Sequence, residues 1–293
     1  MALDPDAGAD HASREAVEGF GDWSEDDAFD AGDADLPATR GGPDGTFLLE
    51  LADTLRAAGL SVKEHDGWRQ RCRSSGGYPG GPVGVIIHHT ASPPSWDGQK
   101  DVDFIVSKPE AAPLANLYLD RRGTWWVIAA GATNTNGKGG PWGPIAAQRA
   151  NATVIGIEAG NTGTGEPWPE AMQDAYVAGV AALADRYGID SNNVLSHNEW
   201  SARKIDPAGP SRFGSINQYH TWDMNLFRTA VNDARTKRSK VDVVQATRQG
   251  PAADTYVVQT GDAWWSIAAK TMGDPAATWE SLAAANGGPD RVL

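Results

Sequence analysis

The chain has one cysteine, Cys72, so no intrachain disulfide can brace it. It lies between Arg71 and Arg73 with no second thiol at CxxC spacing, and it reads as a free thiol rather than a metal ligand. No hydrophobic run approaches the ~18 residues of a membrane span, so helix insertion into a bilayer is not expected. The first residues offer neither the basic leader nor the apolar core of a Sec-type signal. Basic residues are also scarce, 25 Lys and Arg against 38 Asp and Glu, for a net charge of −13. That deficit is local. Residues 1–45 hold thirteen acidic and two basic residues, a net −11, which leaves −2 for everything after them. Nothing suggests a basic face for nucleic acid. The acidic segment is rich in Asp, Ala and Gly and poor in apolar side chains, a composition that predicts disorder. Phe20, Trp23 and Phe29 interrupt it without giving it a helical or strand period.

Tryptophan, by contrast, is abundant, at twelve residues. Indole faces stack on sugar rings, although each single Trp is more often core filling. Order is expected from Thr46, where Leu48, Leu49, Leu51, Leu55 and Leu60 follow a helical pattern that Gly59 stops. Val83–His88 is a β-branched run after a Gly/Pro loop and reads as a buried strand. Leu117–Leu119 and Trp125–Ile128 flank a turn at Gly123 and read as a hairpin. Val154–Glu158 is a further strand. Residues 168–187 form the best helix, with Pro169 in its first turn and Gly188 at its end. Val194-Leu195 leads into His197, and residues 224–235 make a closing helix. Residues 236–254 are polar and mixed in charge, and read as a linker. From Thr255 the pattern restarts as strand, helix, helix. The domain plan is therefore 1–45 tail, 46–235 main domain, 236–254 linker and 255–293 accessory module. The fold class expected is α/β, a central mixed sheet with helices on both faces, followed by a small βααβ unit.

Three features bear chemistry. His88-His89-Thr90-Ala91 ends a buried strand, a stiff platform for a neutral imidazole ligand. His197 to Asp206-Pro207 offers an imidazole and a carboxylate nine residues apart, with Lys204 two before the aspartate. Glu158 closes an apolar strand, an expensive place for a charge unless it faces a cavity. Each piece alone is weak, because a histidine pair on a strand is more often structural and Lys-x-Asp is usually a surface pair. Together they supply every residue type that a catalytic zinc site needs. His88, His197 and Asp206 would hold Zn²⁺, with a fourth position left for water whose pKa falls towards about 7. Glu158 would shuttle a proton and Lys204 would stabilise an oxyanion. The Gly-rich run Asn136–Gly143 lacks the Gly-Lys-Ser/Thr ending of a phosphate loop and reads as a groove wall, with Trp142 placed against sugar or peptide.

The motifs Val-Ile-Ile-His-His-Thr-Ala, Ile-Gly-Ile-Glu and His…Arg-Lys-Ile-Asp-Pro, in that order, resemble the amidase-2 family of N-acetylmuramoyl-L-alanine amidases, which includes the peptidoglycan recognition proteins. The resemblance spans about residues 46–235. It implies that the histidine followed by x-Thr-Ala is the ligand, which selects His88 and leaves His89 to support the site or touch substrate. It likewise assigns His197 and Asp206 to zinc, Lys204 as the catalytic lysine and Glu158 as the catalytic carboxylate. Where some relatives carry Tyr-His before the hairpin, this chain has Ala115-Asn116, and Asn116 becomes a candidate substrate contact. A histidine found in many relatives after the hairpin is replaced by the stretch Asn134-Thr135-Asn136-Gly137. The His197-to-Asp206 loop is one residue shorter than in some members.

Tyr256–Ala269 followed by Trp279–Gly287 resembles a LysM domain, which binds N-acetylglucosamine chains. The chain stops at Leu293, before the Pro-Gly turn that usually leads into the second LysM strand. By this resemblance Gly261, Asp262 and Asn286 are the contact candidates. The combined reading is a zinc-dependent peptidoglycan amidase of the phage endolysin type, expected to be a monomer whose partner is bacterial peptidoglycan. It would be held in the host cytoplasm until holin-type release to the cell wall. The rival is a peptidoglycan-binding or recognition protein without catalysis. A zinc deacetylase fits the ligands but not the motif order or the LysM-like partner.

Overall fold

In the computed structural model the described residues are 45–249 without Asp97 and Glu110, and within 240–249 only the backbone is described. The acidic segment and the 255–293 module, with Gly261, Asp262 and Asn286, lie outside them. A unit boundary falls between Thr236 and Lys237.

Six short strands form one mixed sheet: β1 (Val62–Glu64), β2 (Gly84–Ile87), β3 (Leu117–Leu119), β4 (Trp125–Val127), β5 (Val154–Ala159) and β6 (Val194–Ser196). Their spatial order is β1-β4-β3-β5-β2-β6. Only the β3–β4 hairpin is antiparallel; β1–β4, β3–β5, β5–β2 and β2–β6 run parallel. Strands β2 to β6 are buried at every residue. This explains why they read as continuous apolar runs rather than as alternations of apolar and polar.

The period of two nevertheless sorts their side chains to two faces. Val85, Ile87, Leu117, Leu119, Trp125, Val127, Ile155 and Ile157 enter the larger core, and Ile86, Val154 and Leu195 enter another. Tyr118, Trp126 and Ile128 join Val102 and Ile105 in a third. Helices α1 (Leu51–Ala57) and α4 (Glu170–Tyr187) lie against the larger core. The opposite face takes α2 (Gln99–Ser107) and the short α3 (Ala150–Thr153). Helix α4 lies close because residue 179 is glycine: a Cβ there would sit 2.2 Å from the Trp125 ring. Alanine at that position would push the helix off the sheet, an overpacking cost of about 1–3 kcal/mol.

Two helices complete the described chain, α5 (His197–Trp200) and α6 (Met224–Gln249). Phe227 and Val231 of α6 pack with Tyr176, Trp168, Phe213 and Trp222 in an aromatic group whose ring centroids are 4.5–6.3 Å apart. Helix α6 continues to Gln249, through much of the segment expected as linker. Residues 236–249 contain no Gly or Pro and many Lys, Arg, Gln and Ala, which favour helix without needing an apolar face. Strand β1 and helix α2 were not anticipated. Three residues give too short a pattern for β1, whereas Val102 and Ile105, both fully buried, carried the i,i+3 signal for α2. Among the described residues no helix is long and apolar enough to cross a membrane.

Candidate metal centre

The strand register assembles the site. Ile157 of β5 pairs with Ile87 of β2, and Ile87 pairs with Ser196 of β6. One residue further along each of these parallel strands stand Glu158, His88 and His197. They share a level at the carboxyl ends of the strands and face away from the core that holds Ile87 and Ile157. Ligand sites in open α/β sheets gather at such carboxyl ends.

The turn presenting His197 is built to hold. Ser196 and Glu199 form a reciprocal capping box at the start of α5. Arg228 of α6 grips Glu199 with two bonds, at 2.9 and 3.0 Å, and donates to the Val194 carbonyl at 3.1 Å. Asp206 arrives on the loop after α5. Its carbonyl accepts from Asn198 N–H at 3.0 Å, while Ala208 N–H donates to His89 Nδ1 at 3.0 Å. Below His88, the Tyr176 hydroxyl accepts from the His88 N–H at 3.2 Å and lies 3.2 Å from the carbonyls of His88 and Ile157, to one of which it donates.

His88 Nδ1, His197 Nδ1 and Asp206 Oδ2 form a nearly equilateral triangle with edges of 3.0, 3.0 and 3.1 Å. All three residues are buried, and among the described residues they form a group able to share one ion. A tetrahedral zinc with bonds of about 2.0–2.1 Å separates its ligand atoms by roughly 3.3–3.4 Å. Two imidazole nitrogens and a carboxylate also suit zinc chemically. Two ring nitrogens 3.0 Å apart can share at most one proton, so a cation is the better partner for both. The residues therefore fit the ion.

Electrostatics separate the two buried carboxyls. Burial pushes Asp206 up, but the charges and hydrogen bonds of His197 and His88 more than offset it and hold the group well below the usual range. Burial pushes Glu158 up to about 8, with His88 and Lys204 opposing and Asp206 and Asp101 reinforcing. Glu158 Oε2 and His197 Nε2 are buried with no hydrogen-bond partner among the described residues. Lys204 is half-buried, and its charge is felt at Glu158. A carboxyl near neutrality beside an ammonium is suited to moving a proton.

Other expected contacts fall elsewhere. Asn116 is fully buried and cannot touch substrate. Its amide donates to the carbonyls of Ala129 and Gly131, and its oxygen accepts from Tyr78, Thr133 and Gly156 N–H. It pins the hairpin to β5, which is what an amide with all of its hydrogen-bonding groups occupied can do. Trp142 is only half-buried. Its indole N–H donates to Asn192 O at 2.8 Å and its ring packs against the cluster of Ile86 and Ile145, at the opposite, amino ends of β2 and β6. Trp168 and Trp200 are core residues, only 3% and 2% exposed. His89 supports the site: burial holds its pKa down, and the neutral ring accepts from Ala208 while lying against Gly163. Sequence reasoning missed Tyr176, Arg228 and the bond between Asn136 and His88. The Ser-x-x-Glu of the capping box is a local signal, whereas these three contacts have none in the sequence.

The profile of the Amidase_2 family, N-acetylmuramoyl-L-alanine amidase, matches residues 78–209, and that of the LysM domain matches residues 256–292. No curated protein matches the chain. Among solved structures, an endolysin N-acetylmuramoyl-L-alanine amidase from Clostridium intestinale is 15% identical, with 59% of this chain and 95% of that one covered and a TM-score of 0.41. A mutant endolysin from Bacillus subtilis is 13% identical over 59% of this chain and 99% of that one, with a TM-score of 0.40. The amidase AmiD from E. coli, solved with an anhydro-muramyl peptide substrate, is 23% identical over 51% and 61%, with a TM-score of 0.38. Residues 78–209 are thus an Amidase_2 domain, of the N-acetylmuramoyl-L-alanine amidase family, and residues 256–292 a LysM domain.

Proposed function

We propose that the chain uses Zn²⁺ to hydrolyse the amide between the lactyl group of N-acetylmuramic acid and the L-alanine of the stem peptide in bacterial peptidoglycan. The observation that carries this is the triangle of His88, His197 and Asp206 with Glu158 one strand away, inside a domain of the amidase family. Bound there, the ion would polarise the scissile carbonyl and acidify water, and its charge would lower the pKa of Glu158 from about 8 towards neutrality. Glu158 takes a proton from the attacking water as its oxygen adds to the carbonyl carbon. It returns that proton to the nitrogen as the carbon–nitrogen bond breaks, so the products are a muramic acid carboxyl and an alanine amine. The Lys204 ammonium offsets the negative charge that grows on the carbonyl oxygen.

The LysM domain supports the same substrate, since such modules hold N-acetylglucosamine chains. Gly261, Asp262 and Asn286 are its proposed contacts. The pairing of an amidase with a glycan-binding module in one chain supports the role of a wall-lysing endolysin. Mass spectrometry of purified peptidoglycan digested with the full chain tests the reading. Free muramic acid carboxyls and free alanine amines are expected. Cleavage at any other bond, or zinc binding without products, would sink it, and the second result would return the non-catalytic binder.

A further inference from the structure

The loop after the β3–β4 hairpin runs buried beneath the catalytic end of the sheet. Every residue from Ala129 to Asn136 is buried, although four of the last five are polar: Thr133, Asn134, Thr135 and Asn136. Three of these have structural work in plain view. Thr133 bonds to Asn116 and Thr135, Thr135 lies against Gly156, and the Asn134 amide donates to Ala111 O. Asn136 differs. It is fully buried, its N–H donates to Asn151 Oδ1 at 2.7 Å, and its own Oδ1 lies 3.1 Å from His88 Nε2.

An amide oxygen only accepts, so the contact requires the proton of His88 on Nε2. The neutral ring has one proton, and Nδ1 is then bare. Nδ1 is the nitrogen that faces His197 Nδ1 and Asp206 Oδ2 at 3.0 Å. We infer that Asn136 is a positioning residue that fixes the tautomer and ring angle of His88 so that Nδ1 meets the metal. The inference rests on the zinc reading given above. It adds a residue that touches neither the ion nor the substrate. Polar partners of this kind, on the far nitrogen of a histidine ligand, typically change metal affinity about 10–100-fold. Because the loop is buried and Asn136 is tied to Asn151, the oxygen is held in place before any ion arrives.

The test uses the full chain and three proteins: wild type, Asn136→Ala and Asn136→Asp. Zinc affinity is measured by competition with a chromophoric chelator, and the visible spectrum of the Co²⁺-loaded protein reports ligand geometry. Asn136→Ala is expected to bind zinc about 10–100-fold more weakly and to shift the Co²⁺ bands, with a far-UV spectrum like that of wild type. Asn136→Asp retains an acceptor and lacks a donor, so it should restore both affinity and spectrum. Wild-type zinc affinity in a folded Asn136→Ala protein overturns the inference. So does failure of Asn136→Asp to recover affinity while folded, since the contact would then need the amide as donor. If Asn136→Ala does not fold, the Asn136→Asp result decides alone. Loss of amidase activity with zinc affinities ordered as stated would count against the amidase reading and leave the role of Asn136 standing.

Discussion

The same three strands, β5, β2 and β6, end in two different ways. At their amino ends Gly84 and Val154 meet Ile145 in a cluster with the half-buried Trp142, and several polar atoms there are paired. Val83 N–H reaches Thr153 O at 2.8 Å, the Tyr78 hydroxyl reaches Val154 O at 3.2 Å, and the Trp142 indole reaches Asn192 O at 2.8 Å. At their carboxyl ends stand Glu158, His88 and His197. There Glu158 Oε2, His197 Nε2 and Asn136 Nδ2 are buried without a hydrogen-bond partner among the described residues. Each such atom costs about 1–3 kcal/mol. Three such atoms gather around the His88–His197–Asp206 triangle, and that concentration marks where a ligand belongs.

If the difference between the ends is functional, replacing His88 should have the largest effect. His88→Ala removes one corner of the triangle. Zinc content after dialysis should fall well below one equivalent, and turnover on peptidoglycan should drop about 10⁴-fold or more, several kcal/mol of transition-state stabilisation. Retained zinc with near-normal turnover would erase the contrast.

Glu158→Gln comes next. It keeps the shape of the site but cannot accept a proton, so turnover should fall about 10²–10⁴-fold with zinc still bound. The same variant sharpens the electrostatic side in metal-free protein. Glu158 in the folded chain is pushed up from 4.5 to about 8, so the folded state binds the proton more tightly than the unfolded chain does. Stability from this group is therefore full below about pH 4.5 and is lost as the pH rises towards about 8. Chelator-treated wild type should melt at lower temperature at pH 8 than at pH 5. Glu158→Gln should show a flatter dependence across that window, and an unchanged slope would remove Glu158 as its source.

The smallest effect is expected at the other end. Trp142→Ala should cost about 1–2 kcal/mol in urea unfolding, through lost apolar burial, and leave turnover within about twofold. A larger loss of turnover than of stability would put Trp142 back against the substrate.

Much of the site was legible in the chain. His88, His197 and Glu158 at strand ends, with Lys204 and Asp206 on a loop, are the residue types a zinc amidase needs, and the fold brings four of them together with Lys204 close enough to be felt. The placements of Asn116 and Trp142 that the sequence left open turn on one physical cause. Asn116 and Trp142 were chosen as side chains able to touch a substrate, but burial and hydrogen-bond partners decide whether they do. In this fold the amide of Asn116 is used up on three backbone groups and two hydroxyls. Trp142 sits by the amino ends of β2 and β6, whereas His88 follows the carboxyl end of β2. The loop read as a groove wall starts at the site, with Asn136, and ends at Gly143 beside Asn193, at the amino end of β6.

By itself the sequence determined most of the strands (though not β1), the long helix between Pro169 and Gly188, and the kinds of group that carry the chemistry, because periodicity, caps and side-chain chemistry are local properties. Only the tertiary structure decided that Ile157, Ile87 and Ser196 stand in register, which lines up Glu158, His88 and His197 one residue later. It also decided that the oxygen of Asn136 meets the far side of His88. Register and burial depend on contacts between residues tens of positions apart, and no local pattern encodes them.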